Sequence, residues 1–317
     1  MTLYSWQNSD YDALASSFLN GNFHALLVYG AANSGAQLIT GKLIQFILCT
    51  NKVNHEPCGK CSSCVLYKEN SHPDLFVLQA PEDEDKKTPM IKMEQIQPLI
   101  NAAYRSNHIS SHKIIYLPRI KELNTNSANA LLKILEEPPS STLFILQADE
   151  IAKVLSTIKS RCFKYKFTKP NYEEALLHIS NIEHKDFWLT YFDGEPLFEA
   201  PLNSEQLQIS TNTLSTPSIE NINNFVKTLD VKKVPFAVSL ELILKWLSDL
   251  IQVSLGANPS YFMIYSNNLS KLSTRANKDK LYSLQNDIVF LLEWSNHPLN
   301  QKLQLENILY KYQQIYV

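Results

Sequence analysis

Glycine is scarce in this sequence, with 7 glycines among 317 residues. This scarcity argues against an elaborate glycine-rich phosphate loop, because such loops use glycine to reach unusual backbone angles. The sequence also lacks an apolar run long enough to cross a membrane, and its first residues lack the basic flank and apolar core of a signal peptide. We therefore expect a cytoplasmic protein that does not contact a membrane.

A large net charge is absent as well, since 29 basic residues oppose 31 acidic ones and the formal net charge is −2. This balance provides no general attraction to nucleic acid, so any contact with DNA would need a local basic patch or a partner protein. Hydrophobic residues make up 44% of the chain, and this share at this length predicts a globular protein of two or three domains.

A segment near the N-terminus has the frame of a phosphate-binding P-loop. The apolar run Ala25–Tyr29 predicts a buried parallel strand, and apolar residues at helical spacing follow from Leu38 to Leu48. Gly30 and Gly35 bound the loop between them at the spacing of a P-loop. An ordinary strand–turn–helix unit unrelated to a P-loop is the alternative interpretation.

The residues that would make such a loop hydrolyse ATP are missing. A working P-loop has lysine and then serine or threonine after its second glycine, to contact the phosphates and Mg²⁺, but the sequence has Ala36 and Gln37. The third strand is predicted at Lys113–Leu117, where an ATPase carries two acids that hold Mg²⁺, yet Pro118 and Arg119 follow it here. We therefore expect a degenerate loop without productive ATP binding in cis.

Four of the five cysteines lie close together, and they predict a metal site. Cys49, Cys58, Cys61 and Cys64 are separated by eight, two and two residues. This set suits tetrahedral coordination by thiolates and favours a structural Zn²⁺ with no open position. Unliganded cysteines and an iron–sulfur cluster are the alternatives. His72 follows closely, and we expect it to form a turn or to pack rather than to bind the metal.

Two further motifs lie in the middle of the chain. Asn129–Pro139 has leucines at helical spacing, then two acids before a Pro-Pro stop, and these adjacent acids should point about 100° apart on a helix rather than share a catalytic site. Ser160-Arg161-Cys162 stands before a predicted strand. Arg161 is the candidate functional side chain, a surface or salt-bridged arginine being the alternative, and Cys162 is expected to be a packed thiol.

The rest of the chain predicts helices. Residues 169–208 indicate a small helical lid, and the Ser/Thr-rich stretch 209–216 indicates a linker. Long helices with apolar periodicity follow, for example Phe236–Leu255 and Lys280–Trp294, and they indicate an all-α domain.

Together these motifs resemble the delta-prime family of bacterial DNA polymerase III clamp-loader subunits, the non-hydrolysing members of an AAA+ family. The cysteine spacing, Asn129–Pro139 and Ser160–Cys162 carry the resemblance, and Asn300–Glu306 adds a weaker match to a closing helix. Gamma/tau subunits share the first three features but keep the lysine and threonine of the P-loop.

The resemblance implies a fold of three parts. An α/β AAA+ core at 1–168, a parallel sheet flanked by helices, would contain the zinc module at 49–64. The helical lid at 169–208 would follow, and an all-α oligomerisation collar at 209–317 would end the chain. A lid arginine that senses nucleotide in the ATPase subunits would fall near Phe198, where the sequence has none.

The resemblance also implies a function. The chain would be a non-catalytic component of the polymerase holoenzyme, with gamma/tau and delta as partners and with the sliding clamp and primed DNA reached through the complex. Arg161 would act as an arginine finger on ATP bound by the adjacent gamma/tau subunit, since a planar, permanently charged fork suits phosphate oxygens. An active AAA+ ATPase and an independent zinc-bearing nucleic-acid-binding protein are the alternatives.

Overall fold

The computed structural model describes residues 2–30, 33, 35–80, 90–229, 234–295 and 300–316. The chain forms two compact units, the first at 1–174 and the second at 175–317. In the described residues, no helix is both long enough and apolar enough to span a membrane.

The first unit alternates helices and strands along the chain. Its elements are α1 (Asn8–Leu19), β1 (Ala25–Tyr29), α2 (Ala36–Leu48), α3 (Ser62–Lys68), β2 (Leu75–Val77), α4 (Met93–Ala103), β3 (Lys113–Leu117), α5 (Thr125–Glu136), β4 (Thr142–Ala148), α6 (Ser156–Lys159) and β5 (Phe163–Lys166). The described strands form one parallel sheet with the order β2-β3-β4-β1-β5.

Strand β1 lies inside this sheet and is buried on both faces. Ala25 and Leu27 pack with α4, α5 and α6 on one face, whereas Leu26 and Val28 pack with α1 and α2 on the other. A parallel strand covered on both faces reads as a continuous apolar run, which is why the sequence revealed it. The carboxyl ends of β1, β3 and β4 therefore meet at one edge of the sheet. The predicted P-loop and the segments that follow β3 and β4 begin at this edge.

The second unit is helical. Helix α7 (Tyr172–His178) leads into it from the first unit. The following helices are α8 (Lys185–Tyr191), α9 (Ser204–Ser215), α10 (Ile219–Thr228), α11 (Phe236–Ser254), α12 (Ser266–Ser273), α13 (Lys278–Glu293) and α14 (Gln301–Gln314). Its core includes Phe187 and Trp188 of α8 together with Trp246, Phe262 and Tyr312.

The linker predicted at 209–216 is wrong, because this stretch is helical to Ser215 as part of α9. The side chain of Asn203 caps the start of α9 by accepting the N–H of Gln206. Within the helix, the hydroxyls of Thr211 and Thr213 donate to the carbonyls four residues earlier. These internal bonds allow short polar side chains to be buried in a helix, although such residues usually favour turns.

The predicted fold class is confirmed: a parallel sheet flanked by helices precedes a helical region. The closing motif is also helical, since Asn300 caps α14 by accepting the N–H of Leu303. The division into core, lid and collar with boundaries at 168 and 208 stays a prediction.

Candidate functional site

The four cysteines predicted to bind a metal converge in space. Their Sγ atoms lie within 4.8 Å of one another, and the Sγ of Cys49 lies 3.6 Å from that of Cys58 and 3.9 Å from that of Cys61. A tetrahedron with zinc–sulfur bonds of about 2.3 Å has edges of about 3.8 Å. The sulfur positions therefore fit one tetrahedral metal ion. Elsewhere among the described residues, no other group of three or more His, Cys, Asp or Glu side chains converges in this way.

Two helices and a turn place these sulfurs. Cys49 directly follows α2, and Cys61 caps α3, its Sγ accepting the N–H of Cys64 at 3.4 Å. Gly59 has φ of 69°, which lets the chain turn between Cys58 and Cys61. The N–H of Cys61 donates to the Sγ of Cys58, and the N–H of Cys58 donates to the Sγ of Cys49, both at 3.4 Å. Bonds of this kind favour the thiolate, which is the form that binds metals.

The thiols differ in how readily they ionise. Backbone N–H groups of Lys60 and Cys61 lower the pKa of Cys58, whereas burial raises the pKa of Cys64 to about 12. A bound cation is the group that would favour the thiolate of the buried Cys64. The cluster can thus hold a metal ion through four protein sulfurs, which leaves no coordination position for a substrate.

Gly30 and Gly35, which bound the predicted P-loop, both lie among the described residues. Gly35, with φ of 78°, is the residue before α2, and its carbonyl accepts the side-chain N–H of Gln7 at 3.0 Å. Ala36 is 4% exposed and packs in the core, while Gln37 is exposed.

At the other end of the loop, a β-carbon on Gly30 would lie 3.1 Å from that of Phe167, so this glycine permits a close approach of the backbone. Ala31, Ala32 and Ser34 lie outside the described residues.

The nearest lysine along α2 does not replace the missing cation. The Nζ of Lys42 lies 2.6 Å from a carboxylate oxygen of Glu56 and 4.3 Å from the centre of the Tyr11 ring. This side chain is therefore held by an ion pair and an aromatic face more than one turn into the helix.

The end of β3 carries charges that are already paired. Arg119 makes an ion pair with Glu122, Nε to Oε1, at 2.8 Å, and the other oxygen of Glu122 accepts the N–H of Ala80. Asp149, directly after β4, pairs with Lys121 at 2.8 Å. No carboxylate stands at 118 or 119, where the comparison with ATPases would place the Mg²⁺ ligands.

Arg161 lies two residues after α6, and it is held by residues of both middle motifs. Its Nε donates to Oε1 of Glu136 at 2.9 Å, and its Nη2 donates to the same oxygen. Its Nη1 donates to the carbonyl of Thr157 at 2.8 Å and to the hydroxyl of Ser160 at 3.3 Å. The side chain is 31% exposed, and that of Glu136 is 51% exposed. The arginine is thus at the surface and salt-bridged in the free chain.

Glu136 is the residue near Arg161 that the sequence did not reveal as its partner. It is the last residue of α5, whose start is capped by Asn124 accepting the N–H of Ser127. The leucine stripe predicted for this helix holds it in place, since Leu131 and Leu135 are buried in the core. No spacing rule links a helix end to an arginine 25 residues later, so the sequence held no signal for this pair.

Two other predicted positions have packing roles. Burial raises the pKa of Cys162 to about 12, which makes it an inert thiol rather than a nucleophile. Phe198, near which the resemblance would place a lid arginine, stacks on Phe192 with ring centres 4.5 Å apart.

The fold and these sites define a class of protein: a parallel α/β core that has glycines at P-loop spacing between β1 and α2 and contains a cysteine cluster that can hold a metal ion. The family model described as "DNA polymerase III, delta subunit" matches residues 6–171. The chain therefore belongs to the DNA polymerase III delta′ family.

Relatives named DNA polymerase III subunit delta′ agree with this assignment. The chain is 31% identical to that of Haemophilus influenzae, over 71% of this chain and 65% of the relative. It is 30% identical to that of Escherichia coli, over 57% and 53% of the two chains. The chain spans about half to two thirds of the length of the first curated relatives it matches.

A DNA polymerase III gamma subunit-related protein of Thermotoga maritima is a similar solved structure, with a TM-score of 0.45 and 16% identity. The similarity covers 97% of this chain and 99% of that one.

Proposed function

We propose that this chain is a non-catalytic subunit of a DNA polymerase III clamp loader, which helps to place the sliding clamp on primed DNA. Membership in the delta′ family supports the proposal. The observation that carries its non-catalytic character is the double loss at Ala36–Gln37 and at Pro118–Arg119. Either change alone would weaken ATP hydrolysis, and together they remove both the phosphate cation and the Mg²⁺ ligands.

The zinc ion in this proposal is structural. Cys49, Cys58, Cys61 and Cys64 would hold it, and it would fix the end of α2 against the start of α3. Four sulfur ligands within 4.8 Å of one another support this assignment, because a catalytic zinc needs an open position.

Arg161 is proposed to act in trans. Its surface position after α6 supports a role outside its own subunit, at the ATP bound by an adjacent gamma/tau subunit. The planar guanidinium can hold phosphate oxygens with two parallel N–H bonds as negative charge develops. The core and the C-terminal domain would both supply contacts with delta, and the C-terminal collar would join the chain to the assembled loader with gamma/tau, in the cytoplasm.

The first experiment measures ATP hydrolysis by the purified chain alone. We expect no turnover above that of a preparation without protein, because no residue at 36, 37, 118 or 119 can perform the required roles. Robust turnover by the isolated chain would refute the non-catalytic proposal.

The second experiment replaces Arg161 in the reconstituted loader. Arg161→Ala should lower clamp-dependent hydrolysis at the site it serves by about 10³-fold, the scale of known arginine fingers, while assembly on size-exclusion chromatography stays intact. Lys153→Ala is the matched control, since that side chain is a nearby cation, 67% exposed and paired with Glu150. Equal activity of the Arg161 and Lys153 variants would reject the finger role.

A further inference from the structure

We infer that Glu136 restrains Arg161 in the free subunit, and that opening of their ion pair frees two N–H donors of the arginine to bind a neighbouring nucleotide. The inference rests on the proposed role of Arg161 in trans. It assigns a regulatory function to the last residue of α5, which the adjacent acid Glu137 does not share. The side chain of Glu137 makes no hydrogen bond or ion pair within the described part of the chain.

The hydrogen bonds of the guanidinium carry the argument. A guanidinium has five N–H donors. Two of them reach Oε1 of Glu136, and two on Nη1 reach Thr157 and Ser160. One N–H remains, whereas a bidentate grip on phosphate oxygens uses two parallel donors. Arg161 can therefore take up its proposed role only after at least one of the present bonds has broken.

Solvent exposure and the charge of a triphosphate both favour opening of the ion pair between Arg161 and Glu136. Both side chains are partly exposed, at 31% for Arg161 and 51% for Glu136, so water screens the pair and can replace it. A triphosphate carries several negative charges and therefore attracts the guanidinium more strongly than one carboxylate does. The same triphosphate repels the carboxylate of Glu136, which favours separation of the pair as the two subunits close.

The ion pair of Glu136 with Arg161 connects two elements of the first unit. Glu136 ends α5, whereas Arg161 follows α6 at the start of the chain segment that enters β5. The pair therefore links the two motifs by which the sequence resembles clamp-loader subunits. Opening it releases two of the five N–H donors of Arg161.

The test uses Glu136→Gln in the reconstituted loader, with Glu137→Gln as the matched control of equal charge change. We expect Glu136→Gln to raise clamp-dependent ATP hydrolysis about two- to five-fold, the factor that corresponds to a partly exposed ion pair. Glu137→Gln should leave the rate at the wild-type value. The double variant Glu136→Gln with Arg161→Ala should be as slow as Arg161→Ala alone, because the gain acts through the arginine.

A measurement on the isolated chain reports the pair directly. The Nε–H signal of Arg161 in a ¹⁵N NMR spectrum, assigned with Arg161→Lys, should exchange with solvent several times faster in Glu136→Gln than in the wild type. An unchanged exchange rate would show that Glu136 does not restrain Arg161.

The outcomes separate this inference from the proposed function. If Arg161→Ala lowers hydrolysis and Glu136→Gln does not raise it, the restraint by Glu136 is rejected and the finger role of Arg161 is kept. If Glu136→Gln lowers hydrolysis, Glu136 supports the active orientation of the arginine. This result would also reject the restraint. If Arg161→Ala has no effect on hydrolysis, the finger role of Arg161 fails, and the inference that rests on it fails as well.

Discussion

The Nε2 atom of His72 lies 2.8 Å from the hydroxyl oxygen of Ser63, the residue directly before Cys64. On the other side of the ring, Nδ1 accepts the N–H of Asp74, so Nε2 carries the proton and donates to Ser63. The Ser63 hydroxyl in turn donates to the carbonyl of Leu48, the residue before Cys49. His72 thus fastens the cysteine module to the core, and its ring has no nitrogen left for a metal, in agreement with the packing role expected from the sequence.

Asp74, next to this histidine, should make stability depend on pH. Burial alone would raise its pKa, but the N–H groups of Ser110, His108 and Ile109 donate to the carboxylate and lower the pKa below its ordinary value of 3.8. A folded-state pKa below the unfolded one means that the stabilisation is complete above about pH 3.8. It is lost as the pH falls through the folded-state value.

Asp74→Asn should therefore lower the free energy of unfolding by about 1.5 to 3 kcal/mol at pH 7, and the difference from the wild type should shrink below pH 3.8. Urea unfolding at pH values from 7 to about 2 measures it. Asp149→Asn, which alters an exposed ion pair with Lys121, should change stability by less than about 1 kcal/mol at every pH. A pH-independent difference for Asp74→Asn would contradict the role of its charge.

Removal of one sulfur should remove the metal. Elemental analysis should find about one zinc per wild-type chain and well below one in Cys61→Ser, because three ligands bind structural zinc far more weakly than four. The matched control is Cys162→Ser, since Cys162 is buried but lies outside the cluster. Iron and acid-labile sulfide in place of zinc would support the iron–sulfur alternative, and zinc retained by Cys61→Ser would contradict the ligand assignment.

Restoring the loop alone should not restore hydrolysis. A chain with Ala36→Lys and Gln37→Thr regains the phosphate cation and the Mg²⁺ hydroxyl, but Pro118 and Arg119 still leave the metal without its carboxylates. We expect no ATP turnover from this folded double variant, with circular dichroism used to verify its fold. Turnover would mean that the loop was the sole cause of the loss.

A buried carboxylate should be critical for the second unit. Asp249 of α11 is fully buried, and its oxygens accept the N–H groups of Ser260, Tyr261 and Phe262. Asp249→Ala leaves these donors unpaired, so we expect it to lower the free energy of unfolding by about 3 kcal/mol or more.

The matched control for that variant is Asp287→Ala, because Asp287 is 40% exposed and pairs with Lys311 at the surface. It should cost less than about 1 kcal/mol in the same urea titration. Equal losses from the two substitutions would show that the buried bonds of Asp249 add nothing to stability.

The sequence by itself determined the features whose signal is local. Apolar runs located β1 and β3, because a strand covered on both faces must be apolar throughout. Cysteine spacing located the cluster of four cysteines, since all four lie within a span of sixteen residues. The missing loop lysine at Ala36 could also be read directly, because its spacing from Gly30 is fixed by the chain.

Only the tertiary structure decided the relationships between distant residues. The pair of Glu136 with Arg161 and the bond of His72 to Ser63 depend on how helices and strands pack, which no local pattern encodes. Composition also misjudged α9, because the hydroxyls of Thr211 and Thr213 bond inside the helix and can then be buried. A polar side chain favours a turn or a core according to whether a partner is within reach, and the fold supplies that partner.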